Sequence, residues 1–283
     1  MSLSVNTNTT SLGVQQNLNK AAGALSTAME RLSSGLRINS ASDDAAGMQI
    51  ATRMTSQIRG QTVAIKNAND GISLAQTADG AMATDTDILQ RMRELAVQAR
   101  NGTNSTADQT ATNSEFAQMS DELTRISAST QINGKFLLNG SAGVVTLQVG
   151  SNTGTANQIS LTLSSKFDAV SLSVDSGTLV LTGATSAAAA SNIDNAITAI
   201  DAAIAAIGAT RANLGASQNR LTSTIDVLNN VTQNVTAAQG RVQDTDFAAE
   251  TAELTKQQTL QQASTSVLAQ ANQLPSAVLK LLQ

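Results

Sequence analysis

The 283-residue sequence contains no His, Cys, Trp or Tyr, a single Pro and four Phe. Each gap removes a class of function. Without His the commonest general base, metal ligand and pH switch is gone; without Cys there are neither disulfides nor thiolate metal sites. A zinc-protease helix of the His-Glu-x-x-His type is excluded on the same ground. The four rings leave burial to Ala, Leu, Ile and Val, where a compact core of this size draws on many aromatics. A net charge of −4 offers no basic footprint for nucleic acid. The opening residues Met1–Asn6 have neither a basic region nor an apolar one and read as no signal peptide, and no uninterrupted apolar run approaches the ~20 residues of a membrane span. No Gly-rich phosphate loop or Ser–base pair is present. The chain reads as a non-enzyme with no cofactor, no metal, no nucleic-acid partner and no membrane insertion.

What is present is heptad order. Every seventh residue from Ile193, through Ile200, Ile207, Leu214, Leu221, Leu228 and Val235 to Val242, is apolar. The +4 positions are weaker: Ile197, Ile204 and Ile225 fit, while Arg211, Gln218, Thr232 and Gln239 do not. Such a repeat predicts one long helix with a seam that faces other helices. At ~1.5 Å per residue this helix is roughly 75 Å long.

Shorter seams occupy both ends of the chain. Leu18, Leu25 and Leu32 lie seven apart, followed four residues on by Ala22, Met29 and Leu36. Leu260, Val267, Leu274 and Leu281 repeat that spacing, with Ala271 and Val278 four after the second and third. Between Gln257 and Gln283 the only charge is Lys280, a polarity that suits a surface to be covered. Pro275 removes a backbone donor, but the seam resumes beyond it, so a bend and not an end is expected.

Inside these seams, Asn39–Asp44 is small and polar and reads as a linker ending in a helix N-cap, with Asp43 and Asp44 as caps and not metal carboxylates. The next helix runs from Ala45 to about Arg100, with Ile58, Ile65 and Ile72 in one row and Met54, Ala68, Ala75, Met82, Leu89 and Ala96 in another. Asn101–Ser105 stops it. A further helix over about 106–130 carries Phe116, Met119, Leu123 and Ile126 on one face. Strand alternation then takes over: Val145, Leu147 and Val149 answer Ile159, Leu161 and Leu163. Leu172 and Val174 face Leu179 and Leu181 across Asp175-Ser176-Gly177 as a second hairpin. Gln243–Asp246 reads as another polar joint and cap.

The resulting fold class is mainly α: an elongated antiparallel coiled-coil or helical rod with a small β-hairpin region and the termini paired at one end. Residues 1–43 with 244–283 form a terminal coiled-coil domain, 44–139 with 184–243 a long-helix rod, and 140–183 a β-hairpin insert. Pairing the terminal seams buries about six to eight aliphatic side chains at ~1.5–3 kcal/mol each. Ordering about eighty residues costs ~1–2 kcal/mol apiece. The terminal segments are therefore expected to be largely disordered in a lone chain and to fold when neighbouring copies cover them.

Several stretches carry a family likeness. Arg31–Gly47, Asn67–Ala78, Leu89–Gln98, Leu214–Leu221, Leu260–Ala263, Val267–Gln273 and the closing Pro275 with Val278, Leu279, Leu281 and Leu282 closely resemble bacterial flagellin, in the family's order. The likeness covers about 1–140 and 190–283. It implies a structural subunit that polymerises into the flagellar filament for swimming, leaves the cell unfolded and uncleaved through the flagellar type III pathway, and assembles beneath a filament cap. It implies as partners other copies of itself, cap and hook-junction proteins, and an export chaperone on the C-terminal segment. The terminal core would be Leu18, Leu25, Met29, Leu32, Leu36, Leu260, Val267, Leu274, Val278 and Leu281. Arg91, Leu95 and Glu115, with Arg220 opposite, fall where host innate receptors bind flagellins; Arg91 and Glu94 also read simply as solvated helix charges facing the next subunit. Val278, Leu279, Leu281 and Leu282 match the motif read by cytosolic sensors, and equally read as seam residues. Two rival readings share the mirrored layout: a hook–filament junction protein, which forms a short ring, and a cytoplasmic helical signalling rod.

Overall fold

The computed structural model describes residues 7–281, with side chains through Gln273. In chain order the elements are α1 (Thr9–Ser34), α2 (Ala45–Ala99), α3 (Thr106–Ser129), β1 (Gln131–Ile132), β2 (Lys135–Phe136), β3 (Gly143–Gln148), β4 (Gln158–Leu163), α4 (Ser186–Gln243) and α5 (Phe247–Leu281). The mainly α class expected from the heptads is what is found. Two compact units share the chain: one takes residues up to Ile58 and from Gln233 onward, the other Arg59–Thr232. Their boundaries fall inside α2 and α4 and not at the 43/44 and 243/244 linkers. α5 continues past Pro275 to Leu281.

In the terminal unit, α1 and α5 run antiparallel. Asn8 Nδ2 donates to the Ala271 carbonyl at 2.8 Å and Ser11 Oγ reaches Asn272 Oδ1 at 2.8 Å; at the other end the Thr245 N–H donates to the Gly35 carbonyl at 3.0 Å. Asn8 also caps α1 by accepting from Ser11 N. Gly35 closes it at φ 71°, the left-handed conformation that only glycine adopts freely. The two linkers are stitched together: Arg37 N donates to the Gln243 carbonyl at 2.7 Å, and the Arg37 guanidinium to the Val242 carbonyl at 2.8 Å. Asp43 and Asp44 act as the turn and cap residues expected of them. Asp43 Oδ2 accepts from Asn39 N and from Ser40 N and Oγ, while Asp44 Oδ1 accepts from Ala46 N and Gly47 N at the start of α2. Asp246 does the same for α5.

The other unit holds the large side chains. Ala68, Gly71, Ala75, Ala78, Met82, Asp85, Leu89, Met92, Ala96 and Ala99 form one buried stripe of α2, the three-four spacing of a coiled-coil seam. The sevenfold row of α4 is buried at every stop from Ile193 to Leu228, with Ala189, Ala196 and Ala203 filling the positions between; Val235 and Val242 are half-buried. α3 adds Phe116, Leu123 and Ile126 to the same core. Three ion pairs set the antiparallel register of α2 and α4 here: Asp79–Arg211 at 2.8 Å, Arg93–Asp201 at 2.7 Å and Arg100–Asp194 at 2.8 Å. Being partly exposed, they select the register more than they add stability. α4 also corrects one expectation. Counting uninterrupted apolar runs overlooked that its Ala-rich sequence reaches a mean hydropathy of 1.3, enough by length and composition to cross a membrane. Its large apolar side chains from Ile193 to Leu221 at the sevenfold positions are turned to the core, the ordinary role of such a stripe, while Ala202, Ala205, Ala206 and Ala209 lie on the exposed side.

The β region is partly as expected. β3 and β4 pair antiparallel with Val145 opposite Leu161 and Leu147 opposite Ile159, and β4 buries every second residue. Leu147 Cδ1 rests where a Cβ on Gly71 would lie, so the missing side chain at position 71 lets this leucine of the hairpin lie directly against α2. The second hairpin is not formed. Leu172, Val174 and Leu181 are buried as the alternation suggested, but their backbone runs through turns, with Ser173 at φ 57°. The N–H groups a ladder would use are taken elsewhere. Leu172 N donates to the Asp168 carbonyl, Val174 N to the Ala169 carbonyl and Leu179 N to the Asp175 carbonyl, all local turns, while Leu181 N donates to Asn113 Oδ1 of α3 at 2.7 Å. Ser120 and Thr124 of α3 further hold Ser176 N and Ala169 N. A different hairpin occurs earlier, β1–β2, turned by Asn133-Gly134 with both residues at positive φ.

Candidate assembly surface

The terminal helices are where sequence and structure diverge most. On α1 the half-buried Leu18, Leu25 and Leu32 do face α5, but their companions are Ala21 and Ala28, three residues on, and not Ala22 and Met29 four residues on. Met29 is 51 % exposed. Leu36 lies beyond the helix in the linker, bridged to Asp244. On α5 the apolar row is turned away from the pair. Leu260 and Val267 are each 45 % exposed, and the inward stripe is Leu254, Gln257, Gln261, Ser264, Leu268 and Ala271. Hydrophobic spacing missed it because half of it is Gln and Ser. The signal available was geometric: a helix offering α1 small and polar groups between its two leucines, Leu254 and Leu268, lets alanines approach closely. Leu274, Val278, Leu279, Leu281 and Leu282 lie outside the residues whose side chains are described.

The pair therefore presents apolar side chains left exposed among the described residues: Leu12 and Met29 from α1, and Phe247, Leu260 and Val267 from α5. α5 carries Glu250, Glu253 and Lys256 in its first half; Glu253 is held below its usual range by hydrogen bonds first from Gln257 and then from Lys256.

Of the charged group expected on α2 and α3, Arg91 and Glu115 come together, and two members, Leu95 and Arg220, are corrected. Arg91 binds Glu115 at 2.9 Å and Glu94 at 3.0 Å, and these bonds, Glu115 first, hold its guanidinium above its ordinary pKa. Leu95 is 1 % exposed. Its side chain belongs to the core and has nothing to offer a partner. Arg220 is not opposite this group. It lies beside Ser160, Thr162 and Asn213 near the β3–β4 hairpin, and its neighbour Leu221 approaches Gly71, twenty residues or about 30 Å of helix away from Arg91. Among the described residues no cluster of three or more acidic side chains is placed to hold a metal.

Comparison with known proteins gives this surface its context. The bacterial flagellin N-terminal helical region matches residues 5–143, and the bacterial flagellin C-terminal helical region matches 197–282. Flagellin A of Vibrio cholerae is 39 % identical over an alignment that takes in 100 % of both chains. A flagellin of Halalkalibacterium halodurans is 45 % identical over 90 % of this chain and 91 % of its own. The solved structure of a putative flagellar hook-associated protein from Vibrio parahaemolyticus superposes with a TM-score of 0.61 over 71 % of this chain and 100 % of its own; at 13 % identity that is a likeness of fold alone. Helical regions matched at both ends, with identity sustained along the whole length, place the chain among the bacterial flagellins, the proteins that polymerise into the extracellular flagellar filament.

Proposed function

We propose that the α1–α5 pair is the polymerisation surface, and that residues 1–43 with 244–283 form the core of the filament. The observation that carries this reading is the exposed row of Leu260 and Val267, seven residues apart and so on one face of α5, with Leu12, Met29 and Phe247 as further exposed apolar side chains of the pair. An exposed apolar row on a subunit marks an interaction surface. For a self-polymerising family the occupant is a second copy. On this reading Leu260 and Val267 belong to the terminal core through contacts between chains and not within one.

The role is structural and not catalytic: a chain without His or Cys lacks the usual nucleophile–base pairs. The same uncovered α5 row suits an export chaperone that hides an apolar helix face while the chain awaits type III export in unfolded form. Cap and hook-junction proteins meet the terminal helices at the filament's ends. Arg91 and Glu115 supply a charged spot for host receptors, with Arg220 as a separate one.

The test is seeded assembly followed by negative-stain electron microscopy, comparing the natural chain with Leu260→Asn/Val267→Asn. Long filaments from the natural chain and none from the variant support the reading. Filaments of equal length from both contradict it, and short rings from the natural chain point to a junction role.

A further inference from the structure

Asp85 occupies a core position of α2. It follows Ala78 and Met82 and precedes Leu89 and Met92 in the buried three-four stripe, and it is 0 % exposed. Both carboxylate oxygens lack a hydrogen-bond partner. An aliphatic residue is what the repeat calls for here, and a buried carboxylate without a partner is costly when ionised. No cation offsets it. On α2 the nearest charges in sequence are Asp87, two residues on, then Asp79 and Arg91, six residues to either side; Arg91 is already bound to Glu94 and Glu115. Asp85 lies between the Asp79–Arg211 and Arg93–Asp201 rungs, so the arginine α4 brings nearest is already bound to Asp79 at 2.8 Å. α3 contributes Glu122, the charge that acts on Asp85, itself held by Arg125 at 2.6 Å. The segment that packs Ser176 against Ser120 carries Asp168 and Asp175, whose oxygens accept from Ser171 N and Gly177 N.

From this geometry we infer that Asp85 is a proton-operated weak point of the α2–α3–α4 core, which closes fully over the neutral acid and loosens when the acid ionises. Burial first, and the Glu122 charge second, push the Asp85 carboxyl up from 3.8 to about 7. The folded chain thus binds this proton more tightly than the unfolded chain, so the Asp85 contribution to stability is complete in acid and is lost as pH rises towards neutrality. Ordinary capped or ion-paired carboxylates such as Asp43, Asp108 and Asp194, all held below their usual range, act in the opposite sense and at lower pH. The consequence is a subunit that opens more readily in neutral or alkaline medium than in mildly acidic medium. This inference stands independently of the polymerisation surface.

The test is urea unfolding of the dilute, unassembled full-length chain at several pH values, beside Asp85→Asn and Asp85→Leu. For the natural chain the Asp85 proton alone lowers the folded-to-unfolded ratio roughly 300-fold between about pH 4 and about pH 7. Both variants are expected to lose that fall, and Asp85→Leu to gain stability at neutral pH. Glu122→Gln should shift the fall to lower pH. Parallel pH profiles for the natural chain and the variants would overturn the inference. Should neither variant fold, the carbon-13 carboxyl resonance of Asp85 in the natural chain decides: a midpoint near neutrality supports the inference, and one in the usual carboxylate range overturns it.

Discussion

Two regions of this chain share the heptad alphabet and use it differently. Between Arg59 and Thr232 the buried set includes Phe116, Met82, Leu89, Leu123, Leu137, Leu161, Ile200 and Leu214; in the terminal unit, among the described residues, it is Ala21, Ala28, Ile38, Ala51 and Ala271. Four of those five are alanines. A methyl group transfers little free energy from water, ~0.8 kcal/mol per carbon, whereas each ordered residue costs ~1–2 kcal/mol. With 26 residues in α1 and 35 in α5, what the described residues of the terminal pair bury within one chain falls short of that cost. A helix pair of this kind needs surface from outside, and its uncovered Leu, Met, Phe and Val side chains are where that surface would come from. The other unit carries its own core.

The sharpest way to break this comparison is to delete matched side chains in the two regions. Leu89→Ala removes a fully buried residue and should cost ~3 kcal/mol in urea unfolding of the dilute chain. Leu25→Ala, half-buried in the terminal pair, should leave that unfolding transition almost unmoved and yet slow seeded filament growth. Equal losses from both would abolish the distinction. Gly183→Ala comes next: its new Cβ would strike the backbone nitrogen of Ala189 at the start of α4. Overpacking against backbone should cost ~1–3 kcal/mol, read as a lower melting temperature. A side-chain obstacle would give the smaller effect expected of Gly71→Ala, where Leu147 can turn aside. The smallest effect is expected from Arg93→Gln. Its ion pair with Asp201 is half exposed, so the melting temperature should change little and less still at high salt.

The same contrast explains how far the sequence could be read. Wherever burial is deep, the apolar rows named the buried face: Ile193 through Leu228, and Phe116, Leu123 and Ile126, lie inside as their spacing required. Where the inward face is Ala, Gln and Ser, spacing chose the wrong side, as at Leu260 and Val267, because a hydrophobic repeat records what will be covered without saying by which chain. The hairpin over 172–181 failed for a different reason. Its alternation was sound, but the backbone donors of Leu172, Val174 and Leu179 close local turns and that of Leu181 is taken by Asn113 of α3, a partner no local pattern reveals. The β1–β2 hairpin was legible and overlooked, since Asn133-Gly134 is the strongest two-residue turn signal in the chain. Asp85 was legible too, as the acid standing in the Ala78–Met82–Leu89 row. Leu95 was placed on a surface by family likeness, where the row through Met92 and Ala96 would have put it in the core.

Hydrogen exchange, followed by mass spectrometry on the dilute monomer and then on assembled filaments, tests the central claim most directly. Peptides from 9–34 and 247–271 should exchange nearly as an open chain in the monomer and become protected in the filament, while peptides from 75–99, 116–126 and 189–214 stay protected in both. Protection of the terminal helices in the monomer equal to that of the 59–232 unit would contradict the account.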